Sequence, residues 1–234
     1  MKRYLTELIG TFFLVFTLGL MVVQGAVLVP LAVGSVLMVM VYMGGHISGA
    51  HYNPAVTLAV ALRGAMDGRD VAPYMAAQVV GALLASVATL GIAGETFAPA
   101  PGAAATLSGV LAVEFLFTFA LALVVLNSAT SPLTENNSFY GLAIGFTVAA
   151  GAFAGGPISG GAFNPAVGVG PILVDAVAGA GTLTNLWIYL AAPLAGGAAA
   201  AAVFKVQHAA SDAAHTQREK RDALTADELS AEPV

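Results

Sequence analysis

The sequence predicts an all-α membrane protein, with six transmembrane helices and two re-entrant half-helices arranged as inverted repeats. Three observations lead to this fold class. First, 58% of the 234 residues are hydrophobic and only 9% are charged, whereas soluble domains carry about 25% charged residues. Second, six apolar stretches are long enough to cross a bilayer, and two more have half that length. Third, each half-length stretch lies in a sequence segment that occurs twice, which divides the chain into two related halves.

Composition excludes several classes of function. The chain has no cysteine, so it has neither disulfides nor thiolate metal sites. Its net charge is −5 and it shows no basic face, so we expect no nucleic-acid partner. We predict no metal and no cofactor.

The six spans set the domain boundaries. We predict a channel-like domain over 1–206 and a flexible cytoplasmic tail over 207–234.

Lys2 and Arg3 could begin a signal peptide, but Glu7 interrupts the following apolar run and the same pattern recurs later in the chain. We therefore interpret the first stretch as a retained span. The six stretches, in two repeats of about 4–93 and 108–206, cover residues 4–25, 29–45, 72–93, 108–128, 138–155 and 184–206.

The two half-length stretches, 53–63 and 164–177, each begin with Asn-Pro-Ala. Asparagine is a strong N-cap, and proline suits the first helical position because its missing N–H has no partner there. A helix of half the required length is stable at membrane depth only if it re-enters and is buried in protein. We therefore predict two re-entrant half-helices capped by Asn53 and Asn164.

An internal repeat relates the two halves. The segments 47–56 and 158–167 share the pattern I-S-G-x-x-x-N-P-A-V without a gap, and Glu7 near the start of the first span matches Glu114 near the start of the fourth. Each half then has three spans and one half-helix. Because three is odd, the two halves lie inverted in the membrane.

The charges predict the orientation. With the N-terminus in the cytoplasm, every basic residue falls on a cytoplasmic segment, as the positive-inside bias requires. We therefore predict a multi-pass protein of the plasma (inner) membrane with both termini cytoplasmic. The basic residues are Lys2, Arg3, Arg63, Arg69, Lys205, Arg218, Lys220 and Arg221.

Two inverted half-helices bring two positive N-terminal ends together near the midplane. The side-chain carbonyls of Asn53 and Asn164 can cap their own helices while their NH₂ groups point into the cavity. A water oxygen that accepts from both amides points its hydrogens away along the pore, which interrupts a proton wire, and the facing helix ends repel cations. Two ordinary N-caps would explain a single motif, but not two copies in a matched inverted context. The pattern predicts a passive channel for neutral solutes.

These motifs resemble the aquaporin, or major intrinsic protein, family over about residues 4–206. The resemblance rests on the doubled Asn-Pro-Ala and on the strings Gly49-Ala50-His51-Tyr52-Asn53-Pro54-Ala55-Val56-Thr57, Glu7…Gly10-Thr11-Phe12 and Ala77-Gln78-x-x-Gly81-Ala82. It implies a right-handed six-helix bundle with a pore in each subunit of a homotetramer, and no enzymatic activity.

The resemblance also assigns roles to individual residues. It implies that Asn53-Pro54-Ala55 and Asn164-Pro165-Ala166 are the two pore motifs, and that His51 lines the pore. It implies that Glu7 and Glu114 accept hydrogen bonds from the backbone of the re-entrant loops; the alternative is that they sit at helix ends facing lipid headgroups.

The selectivity filter departs from the family pattern. Spacing from the two motifs assigns it to Val33, Ala152, Gly161 and Val167, where water-selective members have an aromatic residue, a histidine and an arginine. Loss of two rings and a guanidinium leaves a wide, apolar, uncharged constriction. Valine at the arginine position resembles plant vacuolar members. Gly168 stands where glycerol facilitators usually carry an aspartate.

The sequence therefore predicts a channel for water and/or small neutral solutes that excludes protons and ions. The alternative is a broad channel for ammonia, hydrogen peroxide, urea and glycerol with low water permeability. A secondary transporter is a more distant alternative, because the only acids near the spans are Glu7, Glu114 and Asp175, and none lies beside the asparagines. An intramembrane hydrolase is a further alternative, but the sequence has no Gly-x-Ser-Gly nucleophile motif.

Overall fold

A computed structural model describes the backbone of residues 1–230 and the side chains of residues 1–209. These residues form eight α-helices and one short 3₁₀ turn, and the described part of the chain contains no strand. The α-helices are α1 Lys2–Val23, α2 Val29–Ser48, α3 Pro54–Arg63, α4 Gly68–Ala93, α5 Leu107–Ala129, α6 Tyr140–Ser159, α7 Pro165–Ala178 and α8 Leu186–Ser230.

Six of these helices are long and apolar enough to cross a membrane, with mean hydropathy between 1.5 and 2.5. They are α1, α2, α4, α5, α6 and the first 24 residues of α8, Leu186–Ala209. The prediction of six spans is therefore confirmed. Helices α3 and α7 have 10 and 14 residues, or about 15 and 21 Å at 1.5 Å per residue. Both are shorter than the roughly 30 Å apolar core of a bilayer.

The two halves pack in the same way. Helix α1 lies against α4 in the first half, α5 lies against α8 in the second, and α2 and α6 pack together across the two halves. Each half-helix also packs against the last helix of the other half, α3 on α8 and α7 on α4. The half-helices are therefore enclosed by protein, as helices that do not span the bilayer must be.

Glycines permit the closest helix crossings. A Cβ built on Gly81 in α4 would lie 2.4 Å from the carbonyl oxygen of Leu8 in α1, and one on Gly196 in α8 would lie 2.5 Å from that of Phe115 in α5. Both contacts are with backbone, which cannot turn aside. In each half, a glycine therefore allows the first and the last spanning helix to pack closely, α1 with α4 and α5 with α8.

We expect Gly81→Ala to lower the melting temperature of the purified protein, since the methyl group would force α1 and α4 apart. Gly91→Ala, in the same helix, is the matched control because a Cβ there meets no atom within 4 Å. That change should be neutral or stabilising by up to about 1 kcal/mol through helix propensity. Circular dichroism melts in detergent measure both, and equal melting temperatures for the two variants would contradict the crossing.

The helix bounds differ from the sequence prediction at two informative places. Helices α2 and α6 were expected to end near residues 45 and 155, but each continues to a serine, Ser48 and Ser159. Each then ends at a glycine with φ of 87°, Gly49 and Gly160. Local glycine content suggested an early end, whereas the buried contacts of the two serines favour the additional turn.

The sixth span also runs further than expected. The polar segment from residue 207 continues helix α8, whose backbone reaches Ser230. The flexible tail predicted over 207–234 falls mainly on residues beyond 209, which lie outside the described side chains, and it stays a prediction.

Candidate functional site

The first re-entrant loop is held by Glu7, whose side chain is completely buried. One carboxylate oxygen accepts hydrogen bonds from the Ser48 hydroxyl at 2.6 Å and from the His51 backbone N–H at 3.0 Å. The other accepts from the Tyr52 N–H at 2.7 Å and from the Gln78 side-chain amide at 2.8 Å. The carboxylate therefore supplies acceptors to backbone groups that have no helical partner.

Glu114 holds the second loop in the same manner and is also completely buried. It accepts from the Ser159 hydroxyl at 2.7 Å, from the Ala162 N–H at 3.0 Å and from the Phe163 N–H at 2.7 Å. The structure thus places both glutamates inside the bundle against the loops, and not at helix ends facing the headgroups.

The half-helices meet end to end through their capping asparagines. The Asn53 carbonyl oxygen accepts from Ala55 N–H at 2.8 Å, and the Asn164 carbonyl oxygen accepts from Ala166 N–H at 2.9 Å. Each asparagine therefore caps its own helix, and its NH₂ group is left to donate elsewhere.

One hydrogen of each NH₂ group crosses to the opposite loop. Asn53 donates to the carbonyl oxygen of Phe163 at 2.9 Å, and Asn164 donates to that of Tyr52 at 2.8 Å. Sequence reasoning missed this exchange, because the partners are 110 and 112 residues apart. Since an amide NH₂ carries two hydrogens, each asparagine keeps one for a ligand.

The loops before the asparagines have an unusual backbone. Three residues in each loop have a left-handed backbone, and two of the matched pairs include a residue with a side chain. That conformation is costly for non-glycine residues, by about 1 kcal/mol or more, and the glutamate hydrogen bonds stabilise it. The pairs are Gly49 and Gly160, Ala50 and Gly161, and Tyr52 and Phe163.

A cavity of about 360 Å³ lies on the side of the asparagines where α2 begins and α6 ends. Both asparagines line it, as do all four residues assigned to the filter by spacing: Val33, Ala152, Gly161 and Val167. The structure therefore brings together, on one cavity, residues from α2, α6, α7 and the second loop. Apart from the loop polar groups, its walls are apolar.

A second cavity of about 490 Å³ opens on the opposite side. The two cavities have two lining residues in common, His51 and Val125. These two side chains therefore lie where the two cavities adjoin. Val125, near the C-terminal end of α5, carries no sequence signal that distinguishes it from its apolar neighbours, and the sequence analysis did not select it.

His51 is 8% exposed and is held on one side only. Its Nδ1 lies 3.1 Å from the Thr57 hydroxyl, and its ring lies 5.3 Å from the ring of Tyr74. Within the described residues no group pairs with Nε2, so this ring nitrogen is free to exchange a hydrogen bond with a solute at the junction.

The second cavity carries charges at its mouth. Arg3 lies 3.5 Å from Asp70, which also accepts from the Tyr4 hydroxyl at 2.6 Å. The Arg69 side chain and backbone N–H both donate to Asp67 and hold the pKa of its carboxyl below the ordinary value. This end of the channel-like cavity therefore has a mixed, fixed set of charges, in contrast to the uncharged first cavity.

Further residues support the loops. The Tyr74 hydroxyl donates to the Ser48 carbonyl at 2.9 Å, and the Tyr189 hydroxyl donates to the Ser159 carbonyl at 2.6 Å. Gln78 entered the sequence analysis only through family resemblance, and Tyr74 was missed. Matched polar residues at corresponding places in α4 and α8 were the signal that could have found it.

Comparisons with known proteins agree with this geometry. A family model described as "Major intrinsic protein" matches residues 1–204. "Glycerol uptake facilitator protein-like 6" of Lactiplantibacillus plantarum is 39% identical over 215 residues, covering 86% of this chain and 95% of that protein. "Aquaporin NIP1-3" of Oryza sativa subsp. japonica is 40% identical over 213 residues, covering 86% and 71%.

A solved structure has the same fold. The aquaglyceroporin from Plasmodium falciparum superposes with a TM-score of 0.79 at 21% identity, covering 87% of this chain and 94% of that one. At this identity the likeness bears on the fold alone, and it confirms the predicted arrangement of six spans and two half-helices.

Proposed function

Because the chain belongs to the major intrinsic protein family of multi-pass membrane channels, which are not enzymes, we propose that it passes water and small uncharged solutes passively while excluding protons and other ions. The proposed path runs from the first cavity past the asparagines, between His51 and Val125, and into the second cavity.

The observation that carries this proposal is the paired arrangement of Asn53 and Asn164. Both amides line the first cavity, and each has one N–H committed to the opposite loop and one N–H to spare. A water molecule between them accepts both spare hydrogens and turns its own hydrogens outward. Neighbouring waters then cannot form an uninterrupted chain of donors, so a proton cannot hop past.

The ends of α3 and α7 oppose cations at the same place. Both helices begin at the asparagines, so the positive ends of their dipoles face the path. This barrier matters more here than in channels with a filter arginine, because Val167 contributes no charge.

The ring of Val33, Ala152, Gly161 and Val167 supports a wide, uncharged filter. Such a ring replaces few of the hydrogen bonds that a solute gives up on leaving water, and it offers room for solutes larger than water. This favours the second candidate, a broad channel for ammonia, hydrogen peroxide, urea and glycerol with modest water flux. Names of relatives include both aquaporins and a glycerol facilitator-like protein.

Stopped-flow measurements on proteoliposomes test the proposal with water, urea, glycerol, hydrogen peroxide and ammonia in parallel. We expect the proteoliposomes to be more permeable to each neutral solute than protein-free liposomes are, and we expect no proton current. A proton flux comparable to the water flux would contradict exclusion by the asparagines and helix ends.

Val167→Arg should narrow the solute range. A guanidinium in the ring adds bulk, charge and donors, so glycerol flux should fall by about tenfold while water flux falls far less, a difference of about 1.4 kcal/mol between the two barriers. Val167→Leu is the control for bulk without charge. An unchanged ratio of glycerol to water in Val167→Arg would mean that position 167 does not belong to the filter.

We extend the proposal to topology and assembly. Arg3 meets Asp70, and Arg63 donates to the Thr130 carbonyl at 2.9 Å, so basic residues from α1 and α3 lie near the same end of the bundle. The positive-inside bias then supports cytoplasmic termini in the plasma membrane. The family resemblance supports a homotetramer with one pore per subunit.

A further inference from the structure

The polar groups at the filter are not balanced between hydrogen-bond donors and hydrogen-bond acceptors. We infer that the side chains and the loop backbone of this ring offer hydrogen-bond acceptors but no donors, and that the ring therefore favours small solutes with hydroxyl or amine groups over solutes of equal size that carry a carbonyl. The inference rests on the proposed function and names the class of solute within it.

The side chains of the ring supply no donor. Val33, Ala152 and Val167 are aliphatic, and Gly161 has no side chain. Four lining residues of the cavity have polar side chains: His51, Tyr52, Asn53 and Asn164. The Tyr52 hydroxyl is already committed to the Met40 carbonyl at 2.9 Å, and the other three belong to the asparagine level and beyond.

The four backbone N–H groups of the loop beside the ring, from Gly160 to Phe163, are all occupied. Gly160 N–H donates to the Gly156 carbonyl at 2.9 Å, and Gly161 N–H donates to the Ser159 hydroxyl at 3.1 Å. The next two N–H groups go to the Glu114 carboxylate, at 3.0 and 2.7 Å. The carboxylate that stabilises the loop thus also withdraws its donors from the path.

The carbonyl oxygens of the same segment are not occupied. Among the described residues, no group donates to the carbonyls of Gly160, Gly161 or Ala162. The loop therefore presents acceptors where its N–H groups are withheld. Donors become available again at the two asparagine amides and at the backbone N–H of Val167 in the first turn of α7, for which no acceptor stands among the described residues.

This asymmetry sorts solutes by their hydrogen-bonding chemistry. A hydroxyl or amine entering the ring can donate to a carbonyl, and its carbon atoms can lie against the aliphatic side chains. A carbonyl oxygen entering the ring loses its water and finds no donor, which is costly for a strong acceptor. Ethylene glycol and urea have the same number of heavy atoms, and only urea carries a carbonyl oxygen.

The first test compares these two solutes in stopped-flow assays of wild-type proteoliposomes, after subtraction of protein-free liposomes. We expect ethylene glycol to permeate at least about fivefold faster than urea, the lower limit for one unpaired acceptor. Urea permeating as fast as ethylene glycol would overturn the inference. Neither solute exceeding the protein-free rate would instead contradict the proposed channel itself, and the inference with it.

The second test adds a donor to the ring and matches the added bulk in a control variant that donates nothing. Ala152→Asn and Ala152→Leu introduce side chains with the same number of heavy atoms, so both narrow the ring equally, and only asparagine donates. We expect the ratio of urea to ethylene glycol permeability to be at least about threefold higher in Ala152→Asn than in Ala152→Leu. Equal ratios in two variants that both conduct would overturn the inference, as would loss of all conduction in Ala152→Asn alone.

Discussion

Glu7→Leu is expected to destabilise the protein more than any other single substitution at the loops that keeps the side-chain volume similar. The substitution leaves four donors unpaired in the interior: the Ser48 hydroxyl, the His51 and Tyr52 N–H groups and the Gln78 amide. Each buried donor without a partner costs about 1–3 kcal/mol. We expect a loss of about 4 kcal/mol or more, and a fall in melting temperature of about 10 °C.

Variants at the two glutamates provide an internal scale. Glu114→Leu frees three donors instead of four, so its melting temperature should fall less than that of Glu7→Leu. Glu7→Gln keeps one acceptor oxygen and should lie between wild type and Glu7→Leu. Leu5→Ala, at a residue 57% exposed in the same helix, controls for changes on the outer surface.

Thermal melts in one detergent, followed by circular dichroism, rank these variants. A Glu7→Leu protein as stable as wild type would show that water reaches the loop and replaces the carboxylate. The reversed order of Glu7→Leu and Glu114→Leu would show that the donor count does not control stability here.

The difference between the two glutamates has a local origin. Tyr74 and Tyr189 occupy corresponding places, because each donates to the carbonyl of the serine that ends α2 or α6. Four residues after each tyrosine stand Gln78 and Pro193. Glutamine donates to its glutamate and to the Thr57 hydroxyl, whereas proline has nothing to donate. The two halves of the inverted repeat therefore have similar backbones, but they differ in the hydrogen bonds that their side chains make.

The sequence was sufficient for the fold because its signals are local. Spans follow from runs of apolar residues, and half-helices follow from the Asn-Pro start together with their length. The filter residues could be assigned by spacing because each has a fixed offset from a motif, and the structure brings all four to one cavity. Their roles in selectivity stay predictions.

Other features needed the three-dimensional structure. The exchange between Asn53 and Phe163 joins residues 110 positions apart, and no local pattern encodes it. The extra turn of α2 depends on Ser48 reaching Glu7, although the glycines near it suggest an earlier end. Val125 is one valine among many apolar residues of α5, and only the position of that helix against the first loop gives it a place on the path.

That place makes Val125→Phe the change with the largest expected effect on transport. Val125 and His51 are the two residues common to both cavities, and Val125 is 5% exposed. A phenyl ring in place of an isopropyl group fills a passage that needs only to admit small solutes. We expect the permeability to water and to ethylene glycol to fall at least about tenfold, equivalent to about 1.4 kcal/mol added to the barrier.

The effect must be separated from misfolding, because a larger side chain at a buried position can also destabilise the bundle, by about 1–3 kcal/mol. Val87→Phe, at a residue 55% exposed on α4, makes the same chemical change on the outer surface and should leave transport unchanged. Val125→Leu adds less bulk and should reduce the flux less than Val125→Phe. Val125→Ala should conduct at least as fast as wild type.

A graded loss of flux across alanine, valine, leucine and phenylalanine at position 125, with melting temperatures that do not follow the same order, would assign the effect to occlusion. The path then runs between His51 and Val125, beyond the ring. Wild-type flux through a folded Val125→Phe protein would mean that solutes do not pass between these two residues, and the continuous path proposed from the two cavities would be wrong.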